Sequence, residues 1–232
     1  MTSLSADKSQ IQSVTNFNEF VTTTFQGDVN AICWKRELDG DFKEIVKKAE
    51  TTENITILDE KQLLMLELSK EGQIARDIIL NDFHLLKEHG ASPTINIIKY
   101  YERDNDHPFF PTDVYSFHVD RSPIPTETIL CTYYGAASDI LPNSHAEKKI
   151  LIPEIREQLK KQFTGNDEEF ELYLTENFFD LHYQAKPNTT LVNLGLGNLW
   201  KLSVDYPNNH VLPCIHRAPH EKNGESRLLL IC

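Results

Sequence analysis

The amino-acid sequence predicts an α+β fold that is mainly β, with helices packed on the outside of a barrel or jelly roll. The first third of the 232 residues has helical periodicity, and much of the rest forms short runs rich in β-branched and aromatic residues. Turn-forming Pro, Asp, Asn and Gly separate these runs, which favours an antiparallel barrel or jelly roll over a parallel sheet. A charged, helical stretch at about 143–188 interrupts the strands and is predicted to be one insertion.

The N-terminal third holds most of the predicted helices. Residues 1–14 are polar and are expected to form a disordered tail, so that residues 15–232 make a single domain. The strongest helical pattern covers residues 73–90, where apolar side chains share one face and Gly90 is a stop signal. A strand is predicted at 28–37, and shorter helices are predicted at 16–25, 39–50 and 60–70.

The other predicted strands form two groups, one on each side of the insertion. Each run has the residue types and the length of a strand, and turn chemistry closes it. The first group covers residues 94–103, 114–121 and 127–135, and the second covers residues 189–194, 198–204, 210–219 and 226–232.

Composition limits the classes of function and the compartment. The net charge of −12 argues against binding to nucleic acid or to an anionic membrane surface, since both require basic residues. The polar start does not resemble a signal peptide, and no apolar run approaches the roughly 18 residues of a membrane helix. The four cysteines are scattered without a CxxC pair. We therefore expect a cytoplasmic protein with reduced thiols, and oligomers through a sheet edge or the N-terminal helices remain open.

Two His-x-acid spacings occur, His118/Asp120 and His145/Glu147, and only their context separates them. Nine histidines and 35 acidic residues give roughly one or two such pairs by chance. His145 and Glu147 begin a stretch predicted to be helical, where side chains at i and i+2 point apart and cannot share an ion. His118 and Asp120 lie in an extended run, where side chains at i and i+2 share a face. The His118/Asp120 pair is therefore the candidate for two metal ligands.

Two residues further along the chain extend this candidate site. His216, in the strand predicted at 210–219, offers a third ligand, and two imidazoles with one carboxylate form the facial triad of non-haem iron(II) oxygenases. Arg227 lies 11 residues later in an otherwise apolar strand, where a charge is costly to bury unless it is paired. Its partner is either an acid of the protein or the distal carboxylate of a bound 2-oxo acid.

The strand that follows the His-x-Asp pair offers candidates for binding the cosubstrate. Thr132 and Tyr134 alternate with Tyr133, so one of the two sets faces inward. If Thr132 and Tyr134 face inward, they can hydrogen-bond a bound oxo acid; otherwise the inward-facing ring belongs to the core. His182 is assigned to a loop edge outside the site.

The order His-x-Asp, His and Arg resembles that of the Fe(II)/2-oxoglutarate-dependent oxygenases, which have the double-stranded β-helix fold of the cupin superfamily. The His-to-Arg spacing is similar to that of the phytanoyl-CoA-hydroxylase-like branch. The segments AICWKRE, FHVDRSP, CTYYGAASDILP, IHRAP and RLLLIC together resemble the uncharacterised bacterial domain of unknown function family 1826, over most of the chain. The resemblance implies a cupin-like barrel in which His118, Asp120 and His216 hold the metal and Arg227 anchors the 2-oxo acid.

These observations lead to a primary expectation and two alternatives. The primary expectation is an Fe(II)- and 2-oxoglutarate-dependent dioxygenase that hydroxylates an unknown small molecule or protein, with the insertion as a lid. The first alternative is a metal- or ligand-binding cupin without oxygenase activity, such as a sensor or store of zinc or iron. The second is a pseudo-enzyme whose N-terminal helices and insertion form a protein-interaction surface.

Overall fold

The computed structural model describes residues 10–49, 51, 53–221 and 224–232, and its fold is α+β and mainly β. The helices are α1 (Phe17–Thr22), α2 (Phe42–Lys48), α3 (Glu60–Met65), α4 (Lys70–Glu88), α5 (Pro153–Gln162) and α6 (Phe170–Glu176). The strands are β1 (Ile11–Val14), β2 (Ala31–Trp34), β3 (Ile55–Leu58), β4 (Thr94–Ile98), β5 (Phe117–His118), β6 (Glu127–Tyr134), β7 (Asp139–Ile140), β8 (Ala146–Lys148), β9 (His182–Ala185), β10 (Val192–Asn193), β11 (Leu199–Ser203), β12 (His216–Arg217) and β13 (Arg227–Ile231).

The strands form two sheets. The larger sheet has seven strands in the order β1-β2-β11-β6-β13-β4-β3, and only its β1–β2 pair is parallel among the described residues. The smaller sheet has six strands in the order β10-β7-β12-β5-β9-β8, and its neighbours are antiparallel. The predicted absence of an extended parallel sheet is therefore confirmed.

Four of the antiparallel pairs are nested along the chain. β4 pairs with β13, β5 with β12, β6 with β11, and β7 with β10. The first and third pairs lie in the larger sheet, and the second and fourth lie in the smaller sheet. This nesting places β5 beside β12 although the two strands are far apart in sequence.

The N-terminal helices cover one face of the larger sheet, as expected. Phe20, Ile45, Leu63 and Ile79, from the four successive helices α1 to α4, are fully buried in one cluster with residues of the sheet such as Ile97. Burying each large apolar side chain contributes roughly 1.5–3 kcal/mol. Helix docking therefore stabilises the sheet from outside and leaves the opposite face free for the second sheet.

The opposite face of the larger sheet packs against the smaller sheet. Leu130, Trp200 and Leu229 from the larger sheet share a buried cluster with Ile140 of β7 and with Cys214. Alternation along each strand assigns its side chains in turn to the helix side and to this inter-sheet space. The candidate metal ligands, Thr132 and Arg227 lie in the inter-sheet space.

Helix α4 begins and ends where its sequence signals indicate. The Ser69 hydroxyl accepts a hydrogen bond from the Gly72 N–H at 3.2 Å, which caps the N-terminus. Gly90 follows the last turn with φ +94°, a conformation that favours glycine. Within the described residues, no helix has both the length and the apolar character needed to cross a membrane.

Two short strands in the N-terminal third were not predicted. The disordered tail was expected to cover residues 1–14. Residues 1–9 lie outside the described residues, but the prediction is wrong for Ile11–Val14, which form β1. β1 pairs with β2 some way further along the chain, a pairing that the four residues IQSV do not indicate by themselves. β3 (Ile55–Leu58) is too short for its alternation to stand out between two helices.

The predicted insertion at 143–188 is also corrected. Its ends form β8 and β9, which pair with each other, and β9 also pairs with β5. The helical part is thus limited to the region between these strands, where α5 and α6 share a small aromatic core with Phe110. Charged residues in β8 masked the strand, because it is only three residues long.

Candidate metal centre

Two imidazoles and one carboxylate converge where β5 and β12 lie side by side. His118 and His216 are directly opposite each other in the antiparallel register, and Asp120 follows β5. His118 Nε2 lies 3.8 Å from Asp120 Oδ1, and His216 Nε2 lies 3.6 Å from Asp120 Oδ2. Ligand atoms around one ion are roughly 3–4 Å apart, given bonds of about 2.1 Å. The three side chains are therefore placed to share one ion.

The hydrogen bonds of the two imidazoles select the tautomer that binds metal through Nε2. His118 Nδ1 donates to the carbonyl of Ser116 at 2.8 Å, and His216 Nδ1 donates to the carbonyl of Cys214 at 3.2 Å. Because a carbonyl can only accept, each Nδ1 carries the proton and a neutral ring keeps its lone pair on Nε2. In the neutral rings both lone pairs would face the Asp120 carboxylate, an arrangement that a shared cation would stabilise.

The Asp120 carboxylate is held ionised and in place. Burial raises its pKa, but the neighbouring His216 and a hydrogen bond from the Thr128 hydroxyl outweigh this effect and leave the pKa below its ordinary value. Thr128 lies on β6 of the larger sheet. The aspartate therefore spans the inter-sheet space and is available as an anionic ligand at neutral pH.

Burial favours the neutral form of His118. Desolvation, together with the neighbouring His216, lowers the pKa of His118 to about 4. A neutral imidazole is the form that binds metals. The two histidine side chains are 15% and 11% exposed and that of Asp120 is 35% exposed, so the site is shielded but open to solvent on the aspartate side.

The donor set agrees with more than one divalent metal. Two nitrogens and one oxygen on one side of an ion suit iron(II) in a facial triad, and they also suit zinc. Among the described residues, His118, Asp120 and His216 are the group whose donor atoms all lie within 4.8 Å of one another. The structure thus brings together all three ligands that the sequence predicts.

Arg227 is buried, and none of the acidic residues that the structure describes pairs with it. Its guanidinium donates to the Thr132 hydroxyl at 2.8 Å and to the Ser138 hydroxyl at 2.9 Å, while the residue is only 6% exposed. In the described part of the chain, no carboxylate lies within ion-pair distance of it. Burial lowers the pKa of Arg227, and its interaction with the Tyr101 hydroxyl offsets only part of this effect. A buried guanidinium surrounded by hydroxyl groups is a suitable binding site for an anion.

Thr132 lies beside Arg227, but Tyr134 does not. β6 has a bulge between Thr132 and Tyr134. Leu228 of β13 pairs with Tyr134, but the next residue, Leu229, pairs with Thr132, so that Tyr133 is the extra residue. The extra residue turns Tyr134 to the helix side of the sheet, where its ring packs against the helical core and its hydroxyl donates to Glu225. The prediction that Tyr134 faces the cosubstrate site is therefore wrong, because regular alternation fails at the bulge.

The two halves of the site lie along the inner face of one strand. Thr128 holds Asp120 and Thr132 holds Arg227, and the two threonines are four residues apart on β6. Strand geometry separates their Cα atoms by about 13 Å. Leu130 lies between them on the same face and is buried in the inter-sheet core. A ligand that contacts both halves must therefore pass Leu130.

Sequence reasoning missed a third histidine next to the site. His182 of β9 lies opposite His118 in register, so His216, His118 and His182 form a row across three neighbouring strands. The rings of His118 and His182 are 6.0 Å apart, and His182 Nδ1 donates to the carbonyl of Phe178 at 2.9 Å. This contact depends on the pairing of β9 with β5, and no local pattern in the sequence indicates that pairing.

The other His-x-acid pair lies outside this cluster, although not for the predicted reason. His145 ends a short 3-10 turn and Glu147 lies in β8, so the pair is not helical. The Glu147 side chain accepts a hydrogen bond from Gln184 at the surface. Arg121, which follows Asp120 in the chain, forms ion pairs with Asp180 and Asp205.

Comparison with known proteins adds no family to this description. No family model, curated protein or solved structure matches the chain. The resemblance drawn from the motifs therefore remains a prediction, and the geometry of the site carries the functional argument.

Proposed function

We propose that this chain is a non-haem Fe(II)/2-oxoglutarate-dependent dioxygenase-like protein. The observation that carries the proposal is the convergence of His118, Asp120 and His216, accompanied by a buried guanidinium that has no acidic partner among the described residues. A facial triad leaves coordination positions open for a chelating oxo acid and for dioxygen. The positive charge of Arg227 complements the negative charge of the acid's distal carboxylate.

The strand pairing supports a jelly roll of the double-stranded β-helix type. In a jelly roll, an eight-stranded antiparallel ribbon folds so that its first strand pairs with its last, its second with its seventh, and so on inward. The pairs β4–β13, β5–β12, β6–β11 and β7–β10 follow this rule and divide between the two sheets. His118 and His216 lie on the second and seventh strands of this ribbon, Asp120 follows the second, and Arg227 lies on the eighth.

The residues of the chain have distinct roles in this proposal. His118, Asp120 and His216 would hold iron(II), which with a bound 2-oxo acid supplies dioxygen activation for hydroxylating a C–H bond. Thr128 keeps the Asp120 carboxylate in position, and the carbonyls of Ser116 and Cys214 orient the two imidazoles. The inter-sheet core would limit the access of water to such an acid.

One observation favours a second candidate function, a metal-binding cupin that does not use 2-oxoglutarate. The buried Leu130 occupies the face of β6 between the two halves of the site. The small cavity next to Arg227 is lined by Tyr101, Tyr115 and His220, and none of the three proposed ligands lines it. In this case the triad would bind zinc or iron as a sensor or store.

We propose the cytoplasm as the compartment. The four cysteines are free thiols, and three of them are buried. Burial raises the pKa of the Cys33 and Cys131 thiols to about 12, so they are unreactive. Unpaired thiols are typical of a reducing environment.

Anaerobic titration with Fe(II) and 2-oxoglutarate tests the proposed function. We expect a visible charge-transfer band from the iron chelate, followed by stoichiometric succinate when oxygen is admitted. Arg227→Met should weaken 2-oxoglutarate binding while metal binding persists, whereas His118→Ala should abolish both. The oxygenase proposal would be contradicted if wild type binds metal without the charge-transfer band and Arg227→Met has the same affinity for 2-oxoglutarate as wild type. The metal-binding alternative would then be favoured.

A further inference from the structure

A cluster of three amide side chains lies behind His216. Gln10, Asn30 and Asn143, the amide cluster, come from three distant parts of the chain. The Asn143 N–H donates to Gln10 Oε1 at 3.0 Å, and Asn30 Nδ2 donates to Asn143 Oδ1 at 3.0 Å. The Gln10 carbonyl also accepts the Asn30 N–H at 3.0 Å. These contacts hold the Gln10 and Asn30 side chains against Asn143.

Two polar atoms of the amide cluster have no hydrogen-bond partner among the residues that the structure describes. They are Gln10 Nε2, a donor, and Asn30 Oδ1, an acceptor, and both are buried away from solvent. Gln10 is 7% exposed and Asn30 is 1% exposed. Buried polar groups are almost always satisfied, by ordered water where protein groups are missing. One donor and one acceptor left over in one cluster therefore indicate a bound molecule that supplies the complementary groups.

We propose that the amide cluster binds one buried water molecule that accepts from Gln10 and donates to Asn30. The amide side chains are uncharged, so an anion would face the Asn30 oxygen without compensation and a cation would face the Gln10 amide hydrogens. Water matches both, and the second lone pair of Asn143 Oδ1 can accept its remaining hydrogen. The three residues with this water form one closed hydrogen-bond network.

The network positions His216 through two backbone groups. Asn143 Nδ2 donates to the carbonyl of Pro213 at 3.0 Å, and the next residue, Cys214, donates its N–H to the carbonyl of Ser203 at 2.8 Å. The peptide between Pro213 and Cys214 is therefore held from both sides. The Cys214 carbonyl is the group that accepts His216 Nδ1 and fixes its tautomer. The amide cluster thus contains positioning residues for His216, a role that rests on the proposed function of this histidine as a metal ligand.

A high-resolution crystal structure tests the water site directly. We expect one ordered water within about 3 Å of both Gln10 Nε2 and Asn30 Oδ1, in wild type and independently of any metal. A direct hydrogen bond between these two side chains, or an empty space between them, would overturn the proposal.

Nitrogen-15 NMR of the imidazole rings tests the positioning role in the metal-free chain. In wild type, His216 should show a single tautomer protonated on Nδ1. Gln10→Met and Asn143→Ala should each give mixed tautomers at His216 and leave His118 unchanged. Asn193→Ala is the control, because its side chain also donates to backbone carbonyls near β7, those of Ala137 and Ser138, and no hydrogen bond joins it to Pro213. An unchanged His216 in both folded variants would contradict the positioning role.

Metal affinity separates this inference from the proposed function. If wild type binds Co(II), Gln10→Met should weaken binding by less than the roughly tenfold to hundredfold that removal of a ligand's direct partner costs, and it should alter the visible cobalt spectrum, while the Asn193→Ala control changes neither. Equal cobalt affinity and spectra in wild type and Gln10→Met would contradict the positioning role. If wild type binds no metal, the proposed function fails, and the crystal structure and the imidazole tautomers still test the amide cluster.

Discussion

At the scale of single residues, two threonines on β6 hydrogen-bond two different parts of the candidate site. Thr128 donates to Asp120 and Thr132 accepts from Arg227, and both side chains point into the inter-sheet space. Because both residues are threonines on the same strand, the same substitution at each can be compared directly. In the proposed function, Thr128 supports the metal ligand Asp120, and Thr132 supports the group that binds the 2-oxo acid, Arg227.

Thr128→Val should weaken metal binding without unfolding the chain. The substitution removes the hydrogen bond that orients Asp120, and such support is typically worth 10- to 100-fold in metal affinity. The loss in unfolding free energy should be about 1 kcal/mol, as for an ordinary hydrogen bond. Isothermal titration with Zn(II) or anaerobic Fe(II) measures the affinity.

Thr132→Val should affect 2-oxoglutarate and leave the metal affinity unchanged. Arg227 would lose one hydroxyl acceptor and with it the fixed orientation of its guanidinium. We therefore expect weaker cosubstrate binding in the anaerobic titration of the metal-loaded chain. If Thr132→Val and Thr128→Val weaken metal binding equally, the two halves of the site are not independent and the assignment is wrong.

At the scale of elements, a buried ion pair ties α4 to the larger sheet. The Asp82 carboxylate on α4 accepts from Arg36 at 2.7 Å and from the Tyr133 hydroxyl at 2.7 Å. The Asp82 side chain is only 1% exposed. Tyr133, next to the β6 bulge, thus points to the helices, while Thr132 points to the site. The docking of α4 therefore fixes the strand that carries both threonines.

Asp82→Ala should be strongly destabilising. It leaves the buried Arg36 unpaired, and removal of one partner of a buried pair costs about 3–5 kcal/mol. Urea unfolding followed by circular dichroism gives the free energy of unfolding. Asp77→Ala is the control, because Asp77 is exposed on the same helix and its pair with Arg76 is worth at most about 1 kcal/mol. Similar costs for the two variants would show that the Asp82 pair does not stabilise the docking.

The limits of sequence reasoning also lie at the scale of elements. The long periodicity of α4 identified it correctly, because many apolar positions contribute to one pattern. Tyr134 was misplaced because a bulge changes side-chain direction without any mark in the sequence. The neighbourhood of His182 was missed because it depends on the pairing of β9 with β5, which local residues do not encode.

At the scale of the whole molecule, the nested strand pairing creates the site. The order His-x-Asp, His and Arg identified residues that the fold brings into one inter-sheet space, since β5 and β12 are neighbours. The nesting itself is not visible in the sequence, because pairing between distant strands depends on tertiary packing. The candidate ligands could therefore be named from their residue types, whereas their hydrogen bonds and the intervening Leu130 required the structure.

Metal binding should stabilise the whole chain. An ion that binds only the folded state at 100 times its dissociation constant adds about 2.7 kcal/mol to the unfolding free energy. For a chain of this size, this corresponds to a rise in Tm of roughly 5–10 °C. Thermal unfolding with Zn(II) and with excess chelator measures the difference, which should vanish in His216→Ala. A rise of equal size in that variant would mean that the metal binds elsewhere.

The most direct test of the metal centre is the metal content and ligand environment of the reconstituted chain. After anaerobic loading with Fe(II) and desalting, we predict one ion per chain and an X-ray absorption spectrum with two imidazole ligands. His118→Ala and His216→Ala should each lose the ion while their far-UV circular dichroism matches that of wild type. A wild-type chain that retains no metal, or variants that retain as much as wild type, would contradict the account.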